Sequence, residues 1–179
     1  FWGQSAGRIV ESFDHARPFW WYLAVLPPLL LPWLIWPGLW RSVRRHFAIS
    51  DGAFRLLIAW VLPALVVFSF ISGKQLHYLL PEFAAFALLF ARTVSCAIKE
   101  GQPVQRRDRA ILSGFFAFLG VLIVSLHGLT DYIREPGWFE LVDTEWGALL
   151  FLAVVVIWFV GQASVTRLVS ILALSMALL

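Results

Sequence analysis

The sequence predicts an all-α protein, a multi-pass transmembrane helical bundle of about five complete membrane helices and a truncated sixth. Three observations carry this reading. The 179 residues are 60% hydrophobic and 14% charged, where soluble domains run nearer about 45–50% apolar and about 25% charged. The apolar residues fall in long blocks, as membrane-crossing helices require. The strict alternation that marks a transmembrane barrel is absent, and inside lipid only a helix satisfies its own backbone.

Residues 1–17 are expected to form a loop on the outer side, and residues 18–179 the membrane-embedded part. The first apolar segment, Pro18–Trp40, opens on a proline suited to a helix start. Trp20, Trp21 and Tyr22 then mark the membrane interface. Pro27, Pro28, Pro32 and Pro37 each remove a backbone donor, which predicts a bent helix packed within a bundle. Phe54–Ser72 is the second segment. The third, Tyr78–Ala91, has only 14 residues, and a continuation through Thr93–Ile98 stays open. Ala110–Leu129 and Trp146–Ala163 follow. The last apolar run, Leu168–Leu179, has 12 residues, against roughly 20 needed to span. With Phe1 rather than Met at the start, the expectation is a fragment of a longer protein.

Basic residues set the orientation. Loop 41–55 carries Arg41, Arg44, Arg45 and Arg55. Loop 92–109 carries Arg92, Lys99, Arg106, Arg107 and Arg109, and the 164–167 turn carries Arg167. The opposite side has only Arg8, Arg17, Lys74 and Arg134. The bias puts the first three in the cytoplasm and predicts a cell (inner) membrane protein whose working side faces away from it. It also accounts for the basic residues without a nucleic-acid partner, leaving membrane lipids as the partners they imply. The single cysteine, Cys96, excludes an internal disulfide and offers no metal-site spacing.

The residues that could carry chemistry lie on the outer side. Lys74, His77 and Tyr78 sit where two apolar segments turn, at headgroup depth. Arg8, His15 and Arg17 precede the first segment. A cation at this depth suits a phosphate whose lipid tail stays in the bilayer, with arginine as a fork and lysine as a point charge. A tyrosine hydroxyl adds a neutral donor. Plainer readings stand beside these: Lys74 can snorkel, Tyr78 can be an interface aromatic, and His77 a polar turn residue. Glu82, about one turn past Tyr78, would pair with Lys74 or Arg8, or sit at a wet rim. His127 reads as an interface histidine. Glu11, Asp14 and His15 are a weak metal-site candidate.

The stretches "HARPFWWYLAVLPPLLLPWL" and "LLIAWVLPALVVFSFISGKQLHYLLPEFAAFALLFAR" resemble the polyprenyl-phosphate-dependent glycosyltransferases of the GT-C fold. That family includes the lipid A aminoarabinose transferases and the protein O-mannosyltransferases. The resemblance covers roughly residues 1–92 and rests on an aromatic helix start, a Pro–Trp helix, and the pattern Phe68, Ser69, Lys74, Tyr78, Leu79, Leu80 and Pro81. It implies an integral-membrane glycosyltransferase. Such an enzyme moves a sugar from a polyprenyl-phosphate donor to a lipid or protein acceptor on the outer face. It also implies that Arg8, Lys74 and Tyr78 lie near the carrier phosphate, with His77 beside them where the lipid A branch has a small residue or proline. The family's catalytic aspartate belongs to an earlier outer loop, so no catalytic residue is expected in this stretch. No cofactor is called for here, and a divalent metal in the full-length enzyme stays open. The competing reading is a non-enzymatic transporter or polyprenyl-lipid-binding protein, which the proline-broken first helix would also suit.

Overall fold

The structure is a computed structural model that describes residues 17–46, 52–71, 74–129 and 144–177. Among the described residues every regular element is helical: α1 Trp21–Leu29, α2 Pro37–His46, α3 Gly52–Phe70, α4 Leu80–Lys99, α5 Arg106–Leu129, α6 Thr144–Phe159 and α7 Val165–Ala177. Three helical stretches, Leu76–Lys99, Arg106–Gly128 and Glu145–Ala163, are long and apolar enough to cross a membrane, and α3 and α7 supply shorter apolar helices. The chain is an all-α, multi-pass membrane bundle.

The first apolar segment differs from the single bent helix expected of it. Pro27 and Pro28 fall inside α1, which ends after nine residues, or about 13 Å at 1.5 Å per residue. A short 3₁₀ turn, Trp33–Ile35, follows, and Trp36 is extended with ψ 110°. The residue before a proline is pushed out of the helical region, and Pro37 then starts α2. Four prolines therefore divide the segment into separate pieces. The third segment takes the longer of its two readings: a 3₁₀ turn at Leu76–Leu79 leads straight into α4, which continues through Thr93–Ile98 to Lys99. Its end is set by Gly101 at φ 63°. The Gly101 N–H bonds to the Ile98 carbonyl at 3.0 Å and the Gln102 N–H to the Ala97 carbonyl at 2.9 Å. This paired closure needs the left-handed residue that glycine supplies.

The chain divides into two compact units, one of residues up to 31 with 43–95, the other of 32–42 with residues from 96 onward. In the second unit, α5 buries Asp108, Leu112 and Phe116 at every fourth position. α6 buries Leu150, Ala153 and Ile157, and α7 buries Val165, Leu168 and Leu172. These spacings place each set on one helix face. Gly120 and Gly147 let α5 and α6 approach closely. A Cβ on Gly147 would stand 2.7 Å from Val124 Cγ2, and one on Gly120 would meet the Phe151 ring at 3.3 Å. Small residues at a helix crossing are the usual device where lipid removes the hydrophobic drive to associate. Phe118, Val155, Phe159 and Leu174 are exposed, as a lipid-facing surface requires.

Two of the arginines attributed to orientation alone have structural work in this unit. Arg41 grips Asp108 with both guanidinium nitrogens, Nη1 to Oδ1 at 2.9 Å and Nη2 to Oδ2. Asp108 is 1% exposed and also accepts the Gln105 N–H at 2.8 Å, closing the start of α5. Arg109 donates to the Trp158 carbonyl at 2.6 Å and lies over the Trp158 ring at 5.0 Å. Arg41, the start of α5 and the end of α6 thus meet at one end of the unit. The alternation of basic loops requires the same grouping.

Candidate functional site

The turn between α3 and α4 lies in the first unit, and its geometry centres on Lys74. The lysine is 4% exposed. Its ammonium donates to the Ile71 carbonyl at the end of α3 and to the Arg17 carbonyl, at 3.1 Å, just before α1. Lysine often satisfies the last carbonyls of a helix, and here it also reaches 57 residues back along the chain. A snorkelling side chain would carry its ammonium out to water, so that reading does not describe Lys74. An ammonium has three donors, and these carbonyls occupy two.

The start of α1 is held to the same turn by Tyr22. Its hydroxyl donates to the Gln75 carbonyl at 3.1 Å, and its ring, 1% exposed, lies 6.3 Å from that of Phe68. Tyr78 is half-buried. Its ring stands 6.1 Å from Phe68 and 4.6 Å, edge-on, from His77. His77 is exposed. Tyr78 and His77 belong to the 3₁₀ turn that the fully buried Leu79 anchors. The Phe68 ring thus lies between those of Tyr22 and Tyr78, His77 stands edge-on to Tyr78, and Lys74 is held by the two carbonyls. Arg8, His15, Glu11 and Asp14 lie outside the described residues, so the structure does not bear on their part in the site.

Glu82 neither sits at a wet rim nor pairs with Lys74. It is 3% exposed. One carboxylate oxygen takes a hydrogen bond from the Trp60 side chain, and the other, Oε2, has no partner among the described residues. Arg41 and Asp108 form an ion pair among the described residues. No group of three His, Cys, Asp or Glu side chains among them could hold a metal. His127 is exposed in the last turn of α5, in keeping with its interface reading.

Sequence reasoning missed three anchors of the site: the Arg17 carbonyl, the Gln75 carbonyl and the Tyr22 hydroxyl. The carbonyls carry no sequence signal, since every residue has one. Along the chain Tyr22 reads as an interface aromatic, and its place in a tryptophan-rich stretch gives no reason to single it out.

Several curated proteins similar to this chain carry the same description. The chain is 33% identical to an undecaprenyl phosphate-alpha-4-amino-4-deoxy-L-arabinose arabinosyl transferase of Aeromonas salmonicida, over 91% of this chain and 28% of that protein. It is 41% identical to the protein of that name from Pectobacterium carotovorum, over 76% of this chain and 25% of that protein. It belongs to this family of membrane glycosyltransferases. A further relative, transferase 2 of Sodalis glossinidius, is 44% identical over 51% of the chain and 17% of its own length. The chain spans about a quarter of the length of the Aeromonas and Pectobacterium relatives. No family model matches it, and no solved structure does.

Proposed function

We propose that the protein to which this chain belongs transfers a 4-amino-4-deoxy-arabinose unit from undecaprenyl phosphate to a lipid acceptor on the outer face of the inner membrane. The α3–α4 turn would contribute to binding the carrier phosphate. The donor is the one in the relatives' names. The observation that favours the site is the burial of the Lys74 ammonium without a carboxylate partner among the described residues. A cation removed from water is costly unless an anion accompanies it, and two neutral carbonyls compensate only part of its charge. A phosphate at the remaining N–H, with the Tyr78 hydroxyl beside it, would complete the set.

In the reaction an acceptor hydroxyl attacks the anomeric carbon of the sugar. The bond from that carbon to the carrier phosphate oxygen breaks with inversion, and the phosphate leaves with the electron pair. The family resemblance assigns the acceptor proton to an aspartate of an earlier outer loop. Lys74 and Arg8 stabilise the charge developing on the leaving phosphate, where fixed donors count most. The test is a transfer assay on the full-length protein in vesicles. The donor is undecaprenyl-phosphate-linked aminoarabinose, offered with either a lipid A acceptor or a peptide. Sugar should appear on the lipid and not on the peptide. Donor bound or moved across the bilayer without cleavage would instead support a carrier or transporter.

A further inference from the structure

The α3–α4 turn and the start of α1 are fastened to each other twice, in opposite directions. From the turn, the Lys74 ammonium donates to the Arg17 carbonyl at 3.1 Å. From α1, the Tyr22 hydroxyl donates back to the Gln75 carbonyl at 3.1 Å. Gln75 follows Lys74 directly in the chain. The two hydrogen bonds and the two short pieces of backbone between them therefore close a ring, and the lysine is one of its corners.

The bond from Tyr22 matters because α1 holds itself poorly. The helix has nine residues, Pro27 and Pro28 lie inside it, and no side chain caps its start at Trp20. Isolated helices shorter than about 12–15 residues are marginal in water, and each proline removes a backbone donor. The place of α1 is therefore set by what its side chains pack against. The Tyr22 ring is buried, 6.3 Å from that of Phe68 on α3 and 5.0 Å, edge-on, from that of Trp21. An aromatic that only marked the membrane interface would turn its hydroxyl to water. This one turns it to the backbone beside Lys74.

A lysine ammonium is a point charge on a flexible four-carbon stem, so its direction depends on what holds it. Two of its three N–H groups go to the Ile71 and Arg17 carbonyls. The third keeps a fixed direction only while those carbonyls keep their places relative to residue 74. Ile71 is three residues away along the chain. Arg17 is 57 residues away, and its segment is tied back to the turn through Tyr22. We infer that Tyr22 is a positioning residue for the transfer, its hydroxyl fixing the Lys74 ammonium against the carrier phosphate. This role rests on the carrier phosphate lying at the α3–α4 turn. Donors already fixed in place stabilise a developing charge without reorganising, and Tyr22 supplies that fixity through Lys74.

The test is a double-mutant cycle on the full-length protein. Transfer from undecaprenyl-phosphate-linked aminoarabinose to lipid A is measured per folded molecule at limiting donor. Tyr22→Phe keeps the ring against Phe68 and removes the hydroxyl. It should lower kcat/KM by roughly tenfold, the effect of about 1.4 kcal/mol. In a Lys74→Met background the same change should lower it by less than about twofold, because a residue that acts through the lysine has nothing left to position. A purely structural tie would instead lower the unfolding temperature and leave kcat/KM per folded molecule at the wild-type value. If Tyr22→Phe keeps wild-type kcat/KM while Lys74→Met loses it, the carrier-phosphate site stands and the positioning role is overturned. A tenfold loss that persists in the Lys74→Met background also overturns it, since Tyr22 then acts without the lysine. Wild-type transfer by both single variants removes the phosphate site itself and the positioning role with it.

Discussion

Replacing Lys74 separates two roles that the structure gives one side chain. The ammonium ties the end of α3 to the Arg17 carbonyl, and in the proposed reaction it also meets the carrier phosphate. Lys74→Met keeps most of the apolar stem and removes the charge. Losing charge-assisted bonds worth about 1.5–3 kcal/mol each lowers stability, by less than their sum because freed carbonyls at a membrane surface can turn to water. The phosphate contact falls in the same range, and its loss cuts kcat/KM for the donor by roughly 10- to 150-fold. The two effects are read separately: thermal unfolding of the purified full-length protein reports the staple, and transfer per folded molecule at limiting donor reports the phosphate contact. Lys74→Arg should recover part of the transfer, since it restores charge with a different shape. If folded Lys74→Met transfers within about twofold of wild type while unfolding at a lower temperature, Lys74 is a structural tie and the phosphate role is wrong.

Arg8→Ala should cost the same roughly 10- to 150-fold in transfer, with partial recovery in Arg8→Lys because the fork is lost. Tyr78→Phe should cost less, and Arg134→Ala should leave transfer near wild type; a loss with Arg134→Ala equal to that with Arg8→Ala would show a general charge effect. Arg41→Met strands the buried Asp108 carboxylate and should destabilise the full-length protein by about 3–5 kcal/mol, while adding Asp108→Leu should restore much of it. Equal unfolding temperatures for the single and double variants would refute that account. A cysteine introduced at position 103 should be labelled from the cytoplasmic side and one at 140 from the outer side. Labelling of both from one side would remove the topology on which the phosphate site rests.

Composition and the long apolar blocks settled that this is a helical membrane protein, because lipid leaves the backbone no other economical way to satisfy itself. The length of α4 was open in the sequence, since Thr93–Ile98 is only mildly polar, and the glycine closure at Gly101 decided it. The pattern from Phe68 to Pro81 was enough to single out Lys74, His77 and Tyr78. What that pattern could not show was the state of the lysine. An exposed ammonium and a buried one read the same along the chain, and the difference lies in two carbonyls, one of them 57 residues away. The four prolines of the first segment announced a distortion, but only the folded chain showed it divided into pieces. Asp108 stands in the sequence among Arg106, Arg107 and Arg109, and nothing there singles it out. Its burial and its grip on Arg41 arise from helices meeting in space, which local sequence does not encode.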